Sequence, residues 1–345
     1  MRFKLIYIFM LFLQLQTLSA ESNTTTEQEL SYIDKIHKIL SDTILDYSNS
    51  IDIMLSNTLH KFDTNSTQDI NGRATDSFFH SDKFLEETDE TFVSVRVDSN
   101  FNSNGTHQSN ISINARLPLS RSTKEFNFFI NDLNQNNFND LVNHNTIDKN
   151  TGTQIGVNYF APIFHQINSK YSIGTNGINP FSIARYTINK SFYTWLIQPA
   201  QAFKYSLKDG FEEETKIYFD KQLTESRLFR IDIYRSSKAD SSGMNYGLAL
   251  QHFWLLKDNT GISLSQLFSG NTQYEYSTNN PLFPQETQRD NKITNYTTSL
   301  SYRKSVWRKW FFYGVTPNVN FQKSNNFETN YGISLFLDLH FGNIK

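Results

Sequence analysis

The chain has 345 residues, a formal net charge of -2 and no cysteine, which excludes a disulfide framework, a thiolate metal site and a cysteine-borne lipid. Hydrophobic residues make up only 38% while aromatics reach 15%, so a large aliphatic core is excluded although rings abound. The near-neutral balance leaves no basic excess that would favour nucleic acid as a partner.

Residues 1–20 have the layout of a secretory signal peptide. Arg2 and Lys4 form a basic region, Leu5 to Leu13 an apolar core, and Leu18-Ser19-Ala20 a small-residue cleavage site. The apolar run is shorter than the roughly 20 residues a spanning helix needs. No later stretch approaches such a helix, so any membrane residence falls to strands. Only helices and closed barrels satisfy every backbone group in lipid.

Residues 21–88 form a second segment. From Glu27 to Phe62 the apolar positions Leu30, Ile33, Ile36, Leu40, Ile44, Tyr47, Ile51, Met54 and Leu55 recur mostly at three- and four-residue steps, which predicts an amphipathic helix or a pair of helices. Asp63 to Glu90 is largely polar, contains Asn71-Gly72 and reads as a linker. The simpler expectation is a periplasmic helix that packs on itself, on copies of itself or on a periplasmic protein. The alternative is a plug that enters a barrel.

After Thr91 the period changes to two, and residues 89–345 are expected to form a barrel domain. Candidate strands lie near 91–100, 108–118, 124–132, 152–161, 167–176, 179–188, 192–205, 211–220, 225–236, 243–255, 259–270, 293–304, 311–321 and 331–341. In the last, Tyr331, Ile333, Leu335, Leu337, Leu339 and Phe341 share one face, opposite Ser334, Asp338 and His340. An apolar face and a mostly polar face suit lipid outside and water inside. In the strand before it, Pro317 donates no ladder hydrogen bond and argues for a bulge.

The connections support the same reading. The longest gaps, Asn134 to Asn150 and Asn271 to Lys292, both follow odd-numbered strands, while turns such as Lys257-Asp258-Asn259 follow even-numbered ones. Long loops on one side and short turns on the other suit an outer-membrane barrel with both ends in the periplasm. A β-sandwich has no such order of connections, and no blade repeat suggests a propeller. The expected fold is all-β: a transmembrane antiparallel up-and-down β-barrel of about 14 strands with an N-terminal α-helical segment, in a Gram-negative outer membrane.

His107-Gln108-Ser109-Asn110 is similar to the H-x-S-N core of outer-membrane phospholipases, in which a His takes the Ser proton. The match stops after four residues, in a Ser- and Asn-rich stretch that suits a polar loop-to-strand boundary. Glu212, Glu214, Lys216 and Tyr218 share a strand face, opposite Thr215, Ile217 and Phe219. With Arg116, Arg230, Asp232, Arg303, Asp338 and His340, the charged members of that face are the candidate lumen-lining residues. Their mixed signs predict a polar pore with weak charge preference. Trp307, Trp310, Phe311 and Phe312 around Arg308 and Lys309 predict an interfacial aromatic belt beside a turn. No catalytic, cofactor-binding or metal-binding set emerges, so no enzyme activity is expected.

Most of residues 90–345 resemble a family of uncharacterised proteobacterial outer-membrane β-barrel proteins. The resemblance is carried by Leu117-Pro118-Leu119-Ser120, Lys124-Glu125-Phe126-Asn127-Phe128-Phe129, Asp209-Gly210-Phe211-Glu212-Glu213-Glu214-Thr215, Arg308-Lys309-Trp310-Phe311-Phe312-Tyr313 and Leu335 to Gly342. It implies partnership with outer-membrane lipid and with the barrel assembly machinery. A porin-like channel for small solutes is the leading expectation. A structural or assembly barrel, whose N-terminal helix plugs it or binds a periplasmic partner, is the alternative.

Overall fold

The computed structural model describes residues 34–43, 46, 73–79, 81, 83, 92–103, 107–118, 126–132, 153–277 and 287–342. The expected signal peptide and most of the predicted long helix lie outside the described residues. The chain forms two compact units, residues 1–40 and 41–345, and the second contains the barrel. The described part of the predicted helix, α1 (34–43), exposes Ile36 and Leu40. The stretch that reads as a linker contains a second helix, α2 (Arg73–Phe79).

The strands are β1 (Phe92–Asn102), β2 (His107–Pro118), β3 (Phe126–Asp132), β4 (Thr153–Phe164), β5 (Ile167–Asn176), β6 (Asn179–Ile188), β7 (Lys190–Phe192), β8 (Trp195–Ser206), β9 (Gly210–Thr224), β10 (Arg227–Lys238), β11 (Met244–Leu256), β12 (Thr260–Asn271), β13 (Tyr274–Ser277), β14 (Thr287–Asp290), β15 (Ile293–Ser305), β16 (Phe311–Gln322) and β17 (Thr329–Gly342). Fourteen of them form a closed antiparallel up-and-down barrel, with β1 pairing β17 and β6 pairing β8 to complete the ring. The three short strands were not separable by alternation. β7 adds to β8 only, and β13 and β14 make a hairpin in the connection after β12.

Exposure along each strand is inverted relative to a water-soluble protein. On β17, Tyr331, Ile333, Leu335 and Leu337 are exposed while Asp338 and His340 are buried. Ile111, Ile113, Ile155, Ile173, Leu264 and Leu300 repeat that outward apolar band on other strands. A large apolar surface turned outward around buried polar groups is what a bilayer as solvent selects.

Two turns at one rim show the conformation that tight reversals need. His165 and Gln166, with φ of 48° and 68°, join β4 to β5, and Asp258 and Asn259 sit in the β11–β12 turn with φ of 59° and 47°. Positive φ at successive turn residues matches the twist of the flanking strands. The longer connections 133–152 and 272–292 lie at the other rim, with the parity expected from the sequence.

The predicted bulge at Pro317 is absent. Pairing of β15 with β16 runs from Ser299↔Asn318 directly to Tyr302↔Val315 in unchanged register, so two pairs drop out without an inserted residue. Thr316 Oγ1 donates to Ser301 Oγ at 2.9 Å there, a side-chain bond where the ladder is interrupted. Proline therefore costs local pairing but not register.

Gly314 has a packing reason to be glycine. A Cβ at that position would collide with the ring of Phe336 on the neighbouring strand. An aromatic ring covering a strand glycine fills the gap left by the missing side chain. Gly314→Val is expected to destabilise the barrel by roughly 1–3 kcal/mol through overpacking, and Phe336→Ala in the same chain should restore most of the loss. Urea unfolding of detergent-refolded protein checks this, and equal loss in the single and double variants would contradict it.

Candidate interior site

Register carries the alternation of every strand around the ring, so the inward set is defined without ambiguity. Asp220 pairs with Arg230, Arg230 with Gln251, Gln251 with Ser265 and Ser265 with Ser299, and all of these face inward. Of the residues singled out by sequence, Arg116, Lys216, Arg230, Asp232, Arg303, Asp338 and His340 are buried, and Glu212 and Glu214 are half-buried. Register adds five inward cations, Arg96, Lys170, Arg185, Lys204 and Lys238, that alternation within single strands did not single out. It also adds Asp98 and Asp220.

The residue most deeply involved is Arg230. Its Nη1 and Nη2 donate to Asp76 Oδ1 and Oδ2 at 2.7 and 2.8 Å, a bidentate grip on α2. Its Nε and Nη2 also donate to Asp220 Oδ1 and Oδ2 at 2.6 and 2.8 Å. Lys83 Nζ donates to the same Asp220 Oδ2 at 2.6 Å. Ser81 Oγ donates to Asp76 Oδ1 at 2.8 Å. Two cations and two carboxylates thus form a neutral network, and Asp76, Lys83, Asp220 and Arg230 are all at most 4% exposed. A planar guanidinium suits this double bidentate arrangement, which an ammonium cannot reproduce.

Aromatic contacts hold the same segment. The Phe78 ring lies 5.9 Å from Phe312, and the Phe79 ring 5.2 Å from Phe253. Gly261 on β12 makes the room: a Cβ there would come within 2.5 Å of Phe78 and 2.7 Å of Phe79. Phe312 therefore belongs to the interior and not to the aromatic belt expected from Trp307 to Phe312. Trp307 and Trp310 remain together at the β15–β16 turn, with Arg308 over the Trp307 ring at 4.8 Å.

α2 was not legible in the sequence. Seven residues are too few for a periodicity signal that needs windows of 11 or more. The Phe78-Phe79 pair in an otherwise polar stretch was the available cue.

A second cluster straddles the closing seam. Asp338 on β17 accepts from Arg96 Nη2 of β1 at 2.8 Å and lies 3.0 Å from Arg303 Nη2 of β15. His340 Nε2 lies 3.1 Å from that same Arg303 nitrogen. The phospholipase-like residues are elsewhere. The His107 ring lies tilted beside Phe101 and Ser109 bonds Ser99, with both His107 and Ser109 on the exposed face of β2.

No protein-family model and no curated protein sequence matches the chain. Several solved outer-membrane structures are similar at low level. OmpT, an outer membrane protein of Vibrio cholerae, in a loop L8 deletion form, is 7% identical with a TM-score of 0.44, covering 73% of this chain and 98% of that one. The outer membrane channel DcaP of Acinetobacter baumannii is 10% identical with a TM-score of 0.41, covering 73% and 96%. An anion-selective porin from Comamonas acidovorans is 6% identical with a TM-score of 0.42, covering 73% and 99%.

Arg230→Ala leaves two buried carboxylates without their shared cation, a change that costs about 3–5 kcal/mol where a buried pair is broken. The expected outcome is rapid protease cleavage within residues 73–83 while the barrel itself resists. Gly261→Leu should release the same segment by crowding Phe78 and Phe79, with no change in charge. Continued protection in both variants would show that these contacts do not hold α2.

Proposed function

We propose that the protein is a porin-like channel for small solutes in a Gram-negative outer membrane, narrowed by the segment 73–83 seated in its lumen. The observation that carries this reading is the neutral network of Asp76, Arg230, Asp220 and Lys83 on the inward face of a closed barrel. A closed barrel with a polar interior is a water path unless something fills it. Here the occupant is a piece of the same chain, tied by ion pairs to β9 and β10 and by rings to β11 and β16.

The exposed apolar band would meet outer-membrane lipid, and the rim with long connections would face outside the cell. Assembly would depend on the barrel assembly machinery, as for other barrels of this class. The structural-barrel reading differs in one respect only: the lumen would stay shut.

Planar-bilayer recording separates the two. Full-length protein should show small or infrequent channel events. Asp76→Ala/Lys83→Ala, which removes one charge of each sign, should raise single-channel conductance or open time several-fold. Equal conductance in both proteins would remove the narrowing role from the segment. Silence in both would leave the structural-barrel reading.

A further inference from the structure

We infer that the periplasmic end of the β9–β10 hairpin holds the headgroup of an anionic phospholipid between Lys221 and Arg227, on the outer surface of the barrel; this rests on the membrane placement proposed above. The first observation is a line of rings at the short-turn rim. Outward residues in register run from Trp195 on β8 through Lys221 on β9 and Phe229 on β10 to His252 on β11. The Trp195 and Phe229 rings are 6.3 Å apart across the intervening β9, and Phe229 meets His252 at 6.2 Å. Strands two apart are separated by roughly 9–10 Å, so the first two rings lean together over Lys221. His252 stacks in turn on Trp254 at 4.0 Å, and Lys221 Nζ lies 5.5 Å from the Trp195 ring. Rings of this kind belong at the height of lipid headgroups.

The second observation is a pair of cations without a carboxylate. Arg227 is exposed, in register with Trp254 and two residues nearer the rim than Phe229, which makes it a diagonal neighbour of Lys221. Diagonal neighbours lie roughly 7–8 Å apart, a span that an ammonium and a guanidinium can close on one phosphate. Among the described residues neither makes an ion pair, and Lys221 has only its contact with Trp195. At the opposite rim the outward Arg235 is paired with Glu213 at 3.2 Å. Asp220, next to Lys221 in sequence, faces the lumen and is held by Arg230 and Lys83. Glu225 is exposed in the turn itself, Lys257 and Asp258 offset one another in the following turn, and Lys190 on β7 stands beside Ile197. Four cations, Lys190, Lys221, Arg227 and Lys257, thus face two carboxylates, Glu225 and Asp258, around this end of the hairpin.

The third observation is what adjoins the cations. The next outward row toward the bilayer centre, Ile197, Phe219, Ile231 and Leu250, is again in register and apolar throughout. Cations at the edge of an unbroken apolar surface fit an amphiphile better than a free anion. The acyl chains lie along the apolar row while the phosphate meets Lys221 and Arg227. Phosphate oxygens accept charge-assisted hydrogen bonds from both side-chain types, and basic residues at this height attract anionic lipid. A zwitterionic headgroup carries its own ammonium and so gains less from surplus cations.

The test is fluorescence quenching in the full-length chain carrying Trp307→Phe/Trp310→Phe, so that the other two of its four tryptophans, Trp195 and Trp254, supply the signal. Mixed vesicles of phosphatidylcholine and phosphatidylglycerol carry bromine on the acyl chains of one lipid or of the other. The expected result is phosphatidylglycerol enriched at these rings by about threefold or more over its share of the bilayer, with the enrichment shrinking in concentrated salt. Lys221→Gln/Arg227→Gln should bring it to unity, whereas Lys238→Gln at the other rim should leave it unchanged. Native mass spectrometry of the unaltered chain in detergent, counting phosphatidylglycerol retained against phosphatidylcholine, reads the same preference without the tryptophan changes. No preference by either measurement, or an enrichment unmoved by Lys221→Gln/Arg227→Gln, overturns the headgroup site while the membrane placement stands. Displacement of the lipid by inorganic phosphate at constant ionic strength assigns the cations to a free anion and overturns the lipid. Absence of quenching by either brominated lipid puts the rings outside a bilayer and overturns the membrane placement as well.

Discussion

Closure of the sheet is the constraint on which everything else depends. In lipid an unpaired edge strand leaves a row of backbone donors and acceptors with no partner, at several kcal/mol each. Pairing of Phe92–Asn102 with the last strand, from Asn102↔Gly332 to Phe92↔Gly342, removes the edge. Once the ring is closed, the two faces of each strand have two different solvents. The period of two along the chain then becomes a partition in space, with Ile333 and Leu335 outside and Asp338 and His340 inside.

That partition creates an interior problem that the charged residues solve locally. Moving a guanidinium or carboxylate out of water is costly unless geometry and additional hydrogen bonds compensate. Arg230 is compensated on two sides, by Asp220 from its neighbouring strand and by Asp76 from α2. The second partner is separated from it by 154 residues of sequence, so the barrel and its N-terminal segment share one electrostatic balance. A purely apolar plug of the same size would bind a wet wall poorly. A charged but neutral segment exchanges hydration for ion pairs.

Glu212, Glu214 and Asp338 each lie between two cations, so shared carboxylates lace the wall across neighbouring strands and across the closing seam. A planar guanidinium or a flexible ammonium on an adjacent strand reaches such a carboxylate because inward residues in register stand side by side.

The sequence by itself determined the barrel. Alternation, the even number of strands and the order of long and short connections are local, repeated properties, and each repeats the others' message across Thr91 to Phe341. It also determined which face of β9 carries Glu212, Glu214 and Lys216. Only the tertiary structure decided the occupant and the balance of charge. The partner of Arg230 lies in a stretch whose composition reads as linker, since a seven-residue helix has no periodic signature and owes its stability to the wall it meets. Phe312 was misassigned to a belt because neighbouring aromatics on a strand point to opposite faces, and only register says which. The inward cations Arg96, Arg185 and Lys204 were invisible for the same reason: face is a property of pairing, and pairing is not local.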